Sequence, residues 1–277
     1  AMPFGRRSAG ATMTPHISVI IPAYHAHETI ARAVASIRNA GVPMAQVQVV
    51  IAPDDGQDYT YLASQAQNIT IATSAEVRSG AGPARNRALQ AAKADYVAFL
   101  DADDTWEDLY LAELLPLAQK FGAAFGSTSI LDQGQEILRL PLQNSLSFAD
   151  FARSGASFHP VVSRMHAGPF INRPSQDIMH SLEVVALYGN AVPVSQAAYQ
   201  LHLNPLSTTA DSNFSRRATA AYEAYVQDIR LGKTRIPAAY HEDTVAVFHA
   251  KSRLNRAYTD AGGTQSYYQF IAAMRPC

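Results

Sequence analysis

The sequence predicts an α/β fold: a mostly parallel sheet flanked by helices, with a helical C-terminal extension. Three observations carry it. Short, almost wholly apolar runs of strand length recur through the first hundred residues. Segments with apolar residues at helical spacing separate them. Each run ends in Pro or in a turn rich in acidic and small residues. Strands that are apolar on both sides need cover on both faces, which is the situation of a parallel sheet whose crossovers are helices.

The elements follow in order. Ile17–Ile21 is a first strand, stopped by Pro22, and Tyr24 to His27 form a polar, solvated turn. Glu28–Ala40 is a helix with Ile30, Val34 and Ile37 on one face, ended at Gly41. Val47–Ile51 is a second strand, stopped by Pro53 and followed by the acidic turn Asp54-Asp55-Gly56. Gln57–Gln67 is a helix and Ile69–Ala72 a third strand. Gly80–Lys93 is a helix with Ala84, Ala88, Leu89 and Ala92 on one side, and Tyr96–Leu100 is the fourth strand. Glu107–Phe121 is helical. Ala123–Leu131 and Glu136–Leu140 form a hairpin that turns at Gly134. Val161–Met165 is a strand, and Ser175–Tyr188 is a helix that Ser175 caps, with Ile178, Leu182, Val185 and Ala186 on one face. Val194–Leu203 is strand, and 211–231, 241–260 and 264–274 are helices. Apart from Val161–Met165, the stretch 141–175 has no period to read.

Composition narrows the function. The chain has 277 residues, 48% hydrophobic and only 16% charged, which excludes wholesale disorder. Its 22 Lys and Arg balance 23 Asp and Glu, so no global basic field is available to hold a nucleic acid. One cysteine, Cys277, rules out a disulfide framework and a Cys-rich metal site, and fits a reducing compartment. No apolar run reaches the ~18–20 residues of a membrane span. Residues 1–14 lack the apolar stretch of a secretory signal and are read as a flexible leader.

Ligands on such sheets sit outside the carboxyl ends of the strands. The residues to inspect are therefore Tyr24, Asp54 and Asp55, and above all Phe99-Leu100-Asp101-Ala102-Asp103-Asp104. Three carboxylates crowd one strand end there. The plain structural reading makes them turn formers and caps. Yet adjacent carboxylates repel, and a cation relieves the repulsion. Asp residues spaced by one offer oxygen ligands for Mg²⁺ or Mn²⁺, metals that take one or two carboxylates and share the rest of their shell with substrate phosphates.

In these pieces the chain resembles a family 2 glycosyltransferase of the GT-A fold, an inverting type found in bacterial exopolysaccharide biosynthesis. The matching residues are Ile17-Ser18-Val19-Ile20-Ile21-Pro22-Ala23-Tyr24, Asp54-Asp55-Gly56, Gly80-Ala81-Gly82-Pro83-Ala84-Arg85-Asn86 and the D-x-D run, in family order over residues 17 to 105. Ser175-Gln176-Asp177 is similar to the family's Glu-Asp base motif, with Gln176 in place of the usual Glu. Tyr199-Gln200-Leu201-His202, followed by Ser207, resembles the strand before the C-terminal helices.

The resemblance implies a nucleotide-sugar donor, UDP-linked as a rule, and Mn²⁺ or Mg²⁺ as cofactor. Pro22 and Tyr24 then border the base and ribose, and Asp54 and Asp55 include the group that bonds the nucleoside. Arg85 helps hold the diphosphate, beside glycines that allow close approach and a helix N-terminus that favours phosphate. Asp101 and Asp103 serve the metal and the donor sugar, Asp103 as the direct metal ligand and Asp101 nearer ribose or sugar hydroxyls, and His202 is a further metal or phosphate ligand. Asp177 is the general base, taking the proton of an acceptor hydroxyl in one direct displacement. Gln176 puts the orientation of the acceptor in question. Trp106 is better read as core than as a sugar platform, and His159, His166 and His180 flank the acceptor side.

The implied organisation is a leader over 1–14, a catalytic domain over 15–210 and C-terminal helices over 211–277. Within the catalytic domain, 15–105 takes the nucleotide sugar, 106–210 faces the acceptor, and acceptor choice lies in the loops of 141–175. The acceptor is a saccharide or lipid-linked saccharide. Arg216, Arg217, Arg230, Lys233, Arg235, Lys251, Arg253 and Arg256 among C-terminal aromatics are in the common case a solvated face. In the functional reading they meet an anionic membrane, at the cytoplasmic side. Two other readings compete. A nucleotidyltransferase needs a Gly-rich basic loop after the first strand, where this chain has Pro22-Ala23-Tyr24-His25. A non-catalytic nucleotide-sugar-binding protein of the same fold is favoured only by Gln176.

Overall fold

The computed structural model describes residues 15–141, 143–204, 214–262 and 265–274. The leader, Ser207, the start of the helix over 211–231, residue 264 and Cys277 lie outside them.

Strand β1 (Ile17–Ala23) is central because each side of it is apolar. Val19 and Ile21 enter one core cluster and Ile20 the other, as a period of two requires. It pairs in parallel with β2 (Val47–Pro53) and with β4 (Tyr96–Phe99), and β2 pairs in parallel with β3 (Ile69–Ile71). β6 (Ala123–Asp132) and β10 (Val192–His202) form a second parallel pair. β9 (Pro160–Ser163) runs antiparallel between β4 and β6 and joins the two halves. The strand order is β3-β2-β1-β4-β9-β6-β10-β5, where β5 is Thr105–Trp106. This is the GT-A arrangement, parallel in the main with reversed strands at β9 and β5. Helices α1 (Ile30–Arg38) and α4 (Tyr110–Phe121) belong to the face that Val19 and Ile21 enter. The opposite face takes α3 (Ala81–Ala91) and α6 (Gln176–Leu187).

Several expectations shift. The helix expected from Glu107 begins at Tyr110, because Thr105 and Trp106 first pair antiparallel with Gln200 and Tyr199. Leu109 then turns the chain with a left-handed φ of 66°. The hairpin at Gly134 forms as expected, with β7 (Gln135–Leu140) against β6. The unread stretch holds β8 (Ser145–Leu146) and α5 (Phe148–Arg153), whose start is a reciprocal capping box of Ser147 and Asp150. Ser175 does sit at the N-cap of α6, but it has a left-handed φ of 57° and its side chain makes no capping hydrogen bond. Trp106 is core, 2% exposed and stacked on Tyr110 at 4.8 Å.

The extension contains α7 (Phe214–Arg230), α8 (His241–Asp260) and α9 (Tyr267–Ala273). It does more than present charge. Lys251 is buried, and its Nζ donates to the Ser154 carbonyl at 3.1 Å. A side chain on Gly155 would meet Ile271 of α9 at 2.7 Å. These contacts pin residues 154–156, just ahead of β9. Arg235 is likewise tied down, by two nitrogens to Glu183. Among the described residues no helix is long and apolar enough to cross a membrane.

Gly126 in β6 lets Tyr110 reach the sheet: a Cβ there would overlap the Tyr110 ring and stand 2.8 Å from the Ala197 carbonyl oxygen. Gly126→Ala is expected to destabilise the protein by about 1–3 kcal/mol in urea unfolding. An unchanged midpoint would contradict this packing.

Candidate active site

The carboxyl ends of β1, β2 and β4 meet at one rim, and the loops that follow them carry most of the expected residues. Pro22 is the penultimate residue of β1, opposite Ala52. Tyr24 follows, 50% exposed, with its ring edge against His25. It is an aromatic surface free to meet a flat ligand.

Asp54 and Asp55 lie beside it but face inward. Asp54 is buried and accepts from Ser79 Oγ at 2.5 Å, the Gly80 N–H at 2.8 Å and Arg87 at 3.1 Å. Burial alone raises its pKa, and these donors together hold it below the ordinary value. The anion at the start of α3 is thus Asp54 itself. The expected close approach at Gly82 is also taken within the chain, since a Cβ there would stand 2.7 Å from the Ile171 carbonyl. Asp55 accepts from the N–H groups of His25 at 2.6 Å and Gln57 at 3.0 Å, and from the Tyr59 hydroxyl at 2.9 Å. Both carboxylates therefore lock the rim's loops together.

Arg85 is not a surface arginine. It is 2% exposed, and one nitrogen of its guanidinium bonds the Asp101 carboxylate. Burial raises the pKa of Asp101, and the Arg85 charge, the nearby His159 and the Arg85 hydrogen bond together outweigh it, holding the carboxyl below its usual range. Asp104 is also occupied: it accepts from the Tyr199 hydroxyl at 2.7 Å and the His202 N–H at 2.9 Å. Burial and the two neighbouring carboxylates push its pKa well up. The Tyr199 oxygen in turn accepts from the Asp101 N–H at 3.0 Å, so one phenol ties both ends of the D-x-D turn to β10.

Asp103 is the remaining member. Burial and the Asp101 charge push its pKa up to about 6, which marks a negative charge short of compensation. The Arg32 guanidinium steadies the turn by donating to the Asp103 carbonyl at 2.7 Å. Among the described residues there is no cluster of three or more His, Cys, Asp or Glu side chains able to hold a metal ion alone. One under-compensated carboxylate at an open rim still fits Mg²⁺ or Mn²⁺, which bind through one or two carboxylates and complete their shell with phosphate oxygens and water. His202 Nε2 lies 2.8 Å from Thr105 Oγ1, while that hydroxyl also reaches Gln200 Oε1 at 2.9 Å. With the hydroxyl proton on Gln200, the imidazole proton sits on Nε2 and Nδ1 is left to accept or ligate.

Asp177 occupies the second position of α6, partly exposed, where the helix N-terminus favours a negative charge. Its field reaches Arg85 and His159 on one side and Tyr222, Tyr225, Lys251 and Tyr268 of the C-terminal helices on the other. The fold thus brings Asp101, Asp103, Arg85 and Asp177 to one region, while Asp54 and Asp55 face protein donors beside it. The sequence reading missed Arg32, Arg87 and the tethering role of Tyr199. Only Arg87 left a signal, as a second arginine two residues after Arg85, on another face of α3.

The sequence profile of Glycosyl transferase family 2 matches residues 18–172. The chain is 34% identical over 93 residues to UDP-Glc:alpha-D-GlcNAc-diphosphoundecaprenol beta-1,3-glucosyltransferase WfgD of Escherichia coli, covering 32% of this chain and 36% of that one. It is 30% identical over 140 residues to amylovoran biosynthesis glycosyltransferase AmsB of Erwinia amylovora, 46% of each. The chain thus spans less than half the length of these curated relatives. Among solved structures, S. aureus TarS 1–349 in complex with UDP-GlcNAc superposes with a TM-score of 0.67 at 14% identity, over 92% of this chain and 78% of that one. The mannosyltransferase PcManGT of Pyrobaculum calidifontis, in complex with GDP-Man and Mn²⁺, gives 0.53 at 16% identity, over 95% and 80%. At these identities the structural likeness is one of fold.

Asp101→Ala leaves the buried Arg85 charge unpaired and is expected to cost about 3 kcal/mol of stability in urea unfolding. Adding Arg85→Met should recover most of it. A single-variant loss under about 1 kcal/mol would show that Arg85 has another counter-charge.

Proposed function

The chain belongs to glycosyl transferase family 2, and we propose that it moves a sugar from a UDP-linked donor to a hydroxyl of a lipid-linked saccharide in bacterial polysaccharide assembly, with inversion at the anomeric carbon. The observation that carries this reading is the meeting of the D-x-D turn and the Asp177 end of α6 at α3, where Arg85 bonds Asp101 and a Cβ on Gly82 would stand 3.5 Å from Gln176 Cγ. The named activities of WfgD and AmsB, and the ligands named with TarS, support the donor and acceptor classes.

The chemistry follows from where each side chain stands. Tyr24 offers its exposed ring to the uracil, with Pro22 beside the ribose, in a pocket that Asp54 and Asp55 keep in shape. Asp103, with His202 nearby, would hold Mn²⁺ or Mg²⁺, which when bound supplies Lewis-acid neutralisation of the departing diphosphate. PcManGT, seen with Mn²⁺, supports that choice of cofactor. Asp101, held by Arg85, faces the sugar end of the donor. Asp177 takes the acceptor's proton as its oxygen bonds the anomeric carbon and the bond to the diphosphate oxygen breaks. An Asp of reference pKa ~3.9 is a weak base in water and serves best when transfer is concerted with attack. Gln176 beside it can still orient a hydroxyl, without adding charge.

In this reading residues 15–105 carry the donor site, 106–210 carry Asp177 and the acceptor side, and the C-terminal helices over 211–277 close that side. The exposed Arg230 and Lys233 next to the exposed Leu231 suit contact with an anionic membrane that holds the acceptor.

A panel of UDP- and GDP-sugars, scored by Mn²⁺-dependent thermal stabilisation, identifies the donor. Asp177→Asn is then expected to bind that donor normally and lose transfer at least about a hundredfold. Transfer near the wild-type rate would place the base elsewhere.

A further inference from the structure

Among the described residues seven buried side-chain polar atoms lack a hydrogen-bond partner; two stand singly, on Arg87 and Trp106, and the other five belong to three side chains: Arg85 Nε and Nη1, His159 Nδ1 and Nε2, and Gln176 Oε1. The residues are only 2%, 6% and 8% exposed. Leaving such atoms unbonded is costly, and native chains rarely do it without a reason. The three come from separate places in the chain: α3, the residue just before β9 and the first residue of α6. Arg85 and His159 both feel the charges of Asp101 and Asp177. The imidazole is held in place by stacking on Tyr199 at 4.3 Å and 14°, with Nε2 3.9 Å from Asp101 Oδ2. Tyr199 is the phenol that ties the D-x-D turn.

We infer that His159 is a donor-sugar contact: with Arg85 and Gln176 it forms a subsite for a hydroxyl of the sugar being transferred, between Asp101 and Asp177. The inference rests on the glycosyltransferase reading above. The open atoms decide the chemical class. They comprise guanidinium donors, an imidazole that both donates and accepts, and an amide oxygen that accepts. A hydroxyl satisfies such a mixture because it too donates and accepts. A phosphate or carboxylate only accepts. It would also meet two carboxylates in a region where the guanidinium is already paired with one of them. The subsite therefore favours a neutral sugar over a uronate, and places the diphosphate elsewhere, at Asp103. The backbone just ahead of His159 is the segment that Lys251 and Ile271 pin, so the C-terminal helices hold this floor in position.

His159→Phe keeps a flat ring against Tyr199 and removes both nitrogens. Calorimetry of UDP, UDP-glucose, UDP-N-acetylglucosamine and UDP-glucuronate, each with Mn²⁺, reads the result. In the wild type at least one of the two neutral donors should bind more tightly than UDP, and UDP-glucuronate should not. In His159→Phe that donor should weaken about two- to tenfold, UDP should be unchanged, and the melting temperature should hold or rise. His159→Gln, which keeps a donor and an acceptor, should regain part of the sugar affinity. An unchanged gap between UDP and the neutral donors in His159→Phe would overturn the inference and leave the open atoms to water. Equal loss for UDP and UDP-sugar with a lower melting temperature would also overturn it, making the ring a fold residue. Absence of any nucleotide binding by the wild type would instead sink the functional reading itself.

Discussion

A guanidinium almost wholly withdrawn from water needs a counter-charge, and Arg85 finds it in Asp101 at the end of β4. Much of the site's character follows from that pair. It engages one carboxylate of the D-x-D turn, while Tyr199 engages another, so the third, Asp103, is left with neither partner. It also brings α3 close to the sheet at the point where α6 begins. And because one nitrogen makes the bond, two others of the guanidinium, Nε and Nη1, are buried without a hydrogen-bond partner. A well-packed apolar substitute would be as stable or more so. A charged pair with open donors is what a binding site calls for.

The surrounding architecture serves to hold that arrangement still. The parallel strands β1, β2 and β4 aim their loops at one rim, and Asp54 and Asp55 lock those loops with internal hydrogen bonds. The C-terminal helices pack in one core cluster with α6. Tyrosines of α7 and α9 and Lys251 of α8 stand within the field of Asp177, and Lys251 and Ile271 press on the segment leading to His159. The extension is thus part of the site's framework rather than an appended surface.

Much of this was legible in the sequence, for physical reasons. Apolar runs such as Ile17–Ile21 and Val47–Ile51 can only be strands covered on both sides, and Gly134 can only turn a hairpin tightly. Acidic residues at strand ends point to the rim, which located Asp101, Asp103 and Asp104. What the sequence hid was orientation. Nothing local tells whether Asp54 faces a ligand or Ser79, or whether Arg85 lies on the surface or beneath Asp101, because both depend on partners 16 to 26 residues away. The α5 helix was missed although Ser147 and Asp150 have capping-box spacing, since Asp at its fourth position is a weaker sign than Glu. His159 was visible only as a histidine on the acceptor side. Its open nitrogens appear once Tyr199, forty residues on, is stacked against it.

The claim on which the whole account turns is that Asp103 binds a divalent ion jointly with the donor's diphosphate. Titration of Mn²⁺ by electron paramagnetic resonance, with and without UDP, tests it directly. Linkage requires each ligand to tighten the other by the same factor, and the account predicts that this factor is large in the wild type and falls to one in Asp103→Asn. Undiminished coupling in that variant, or UDP binding indifferent to Mn²⁺ in the wild type, would contradict it.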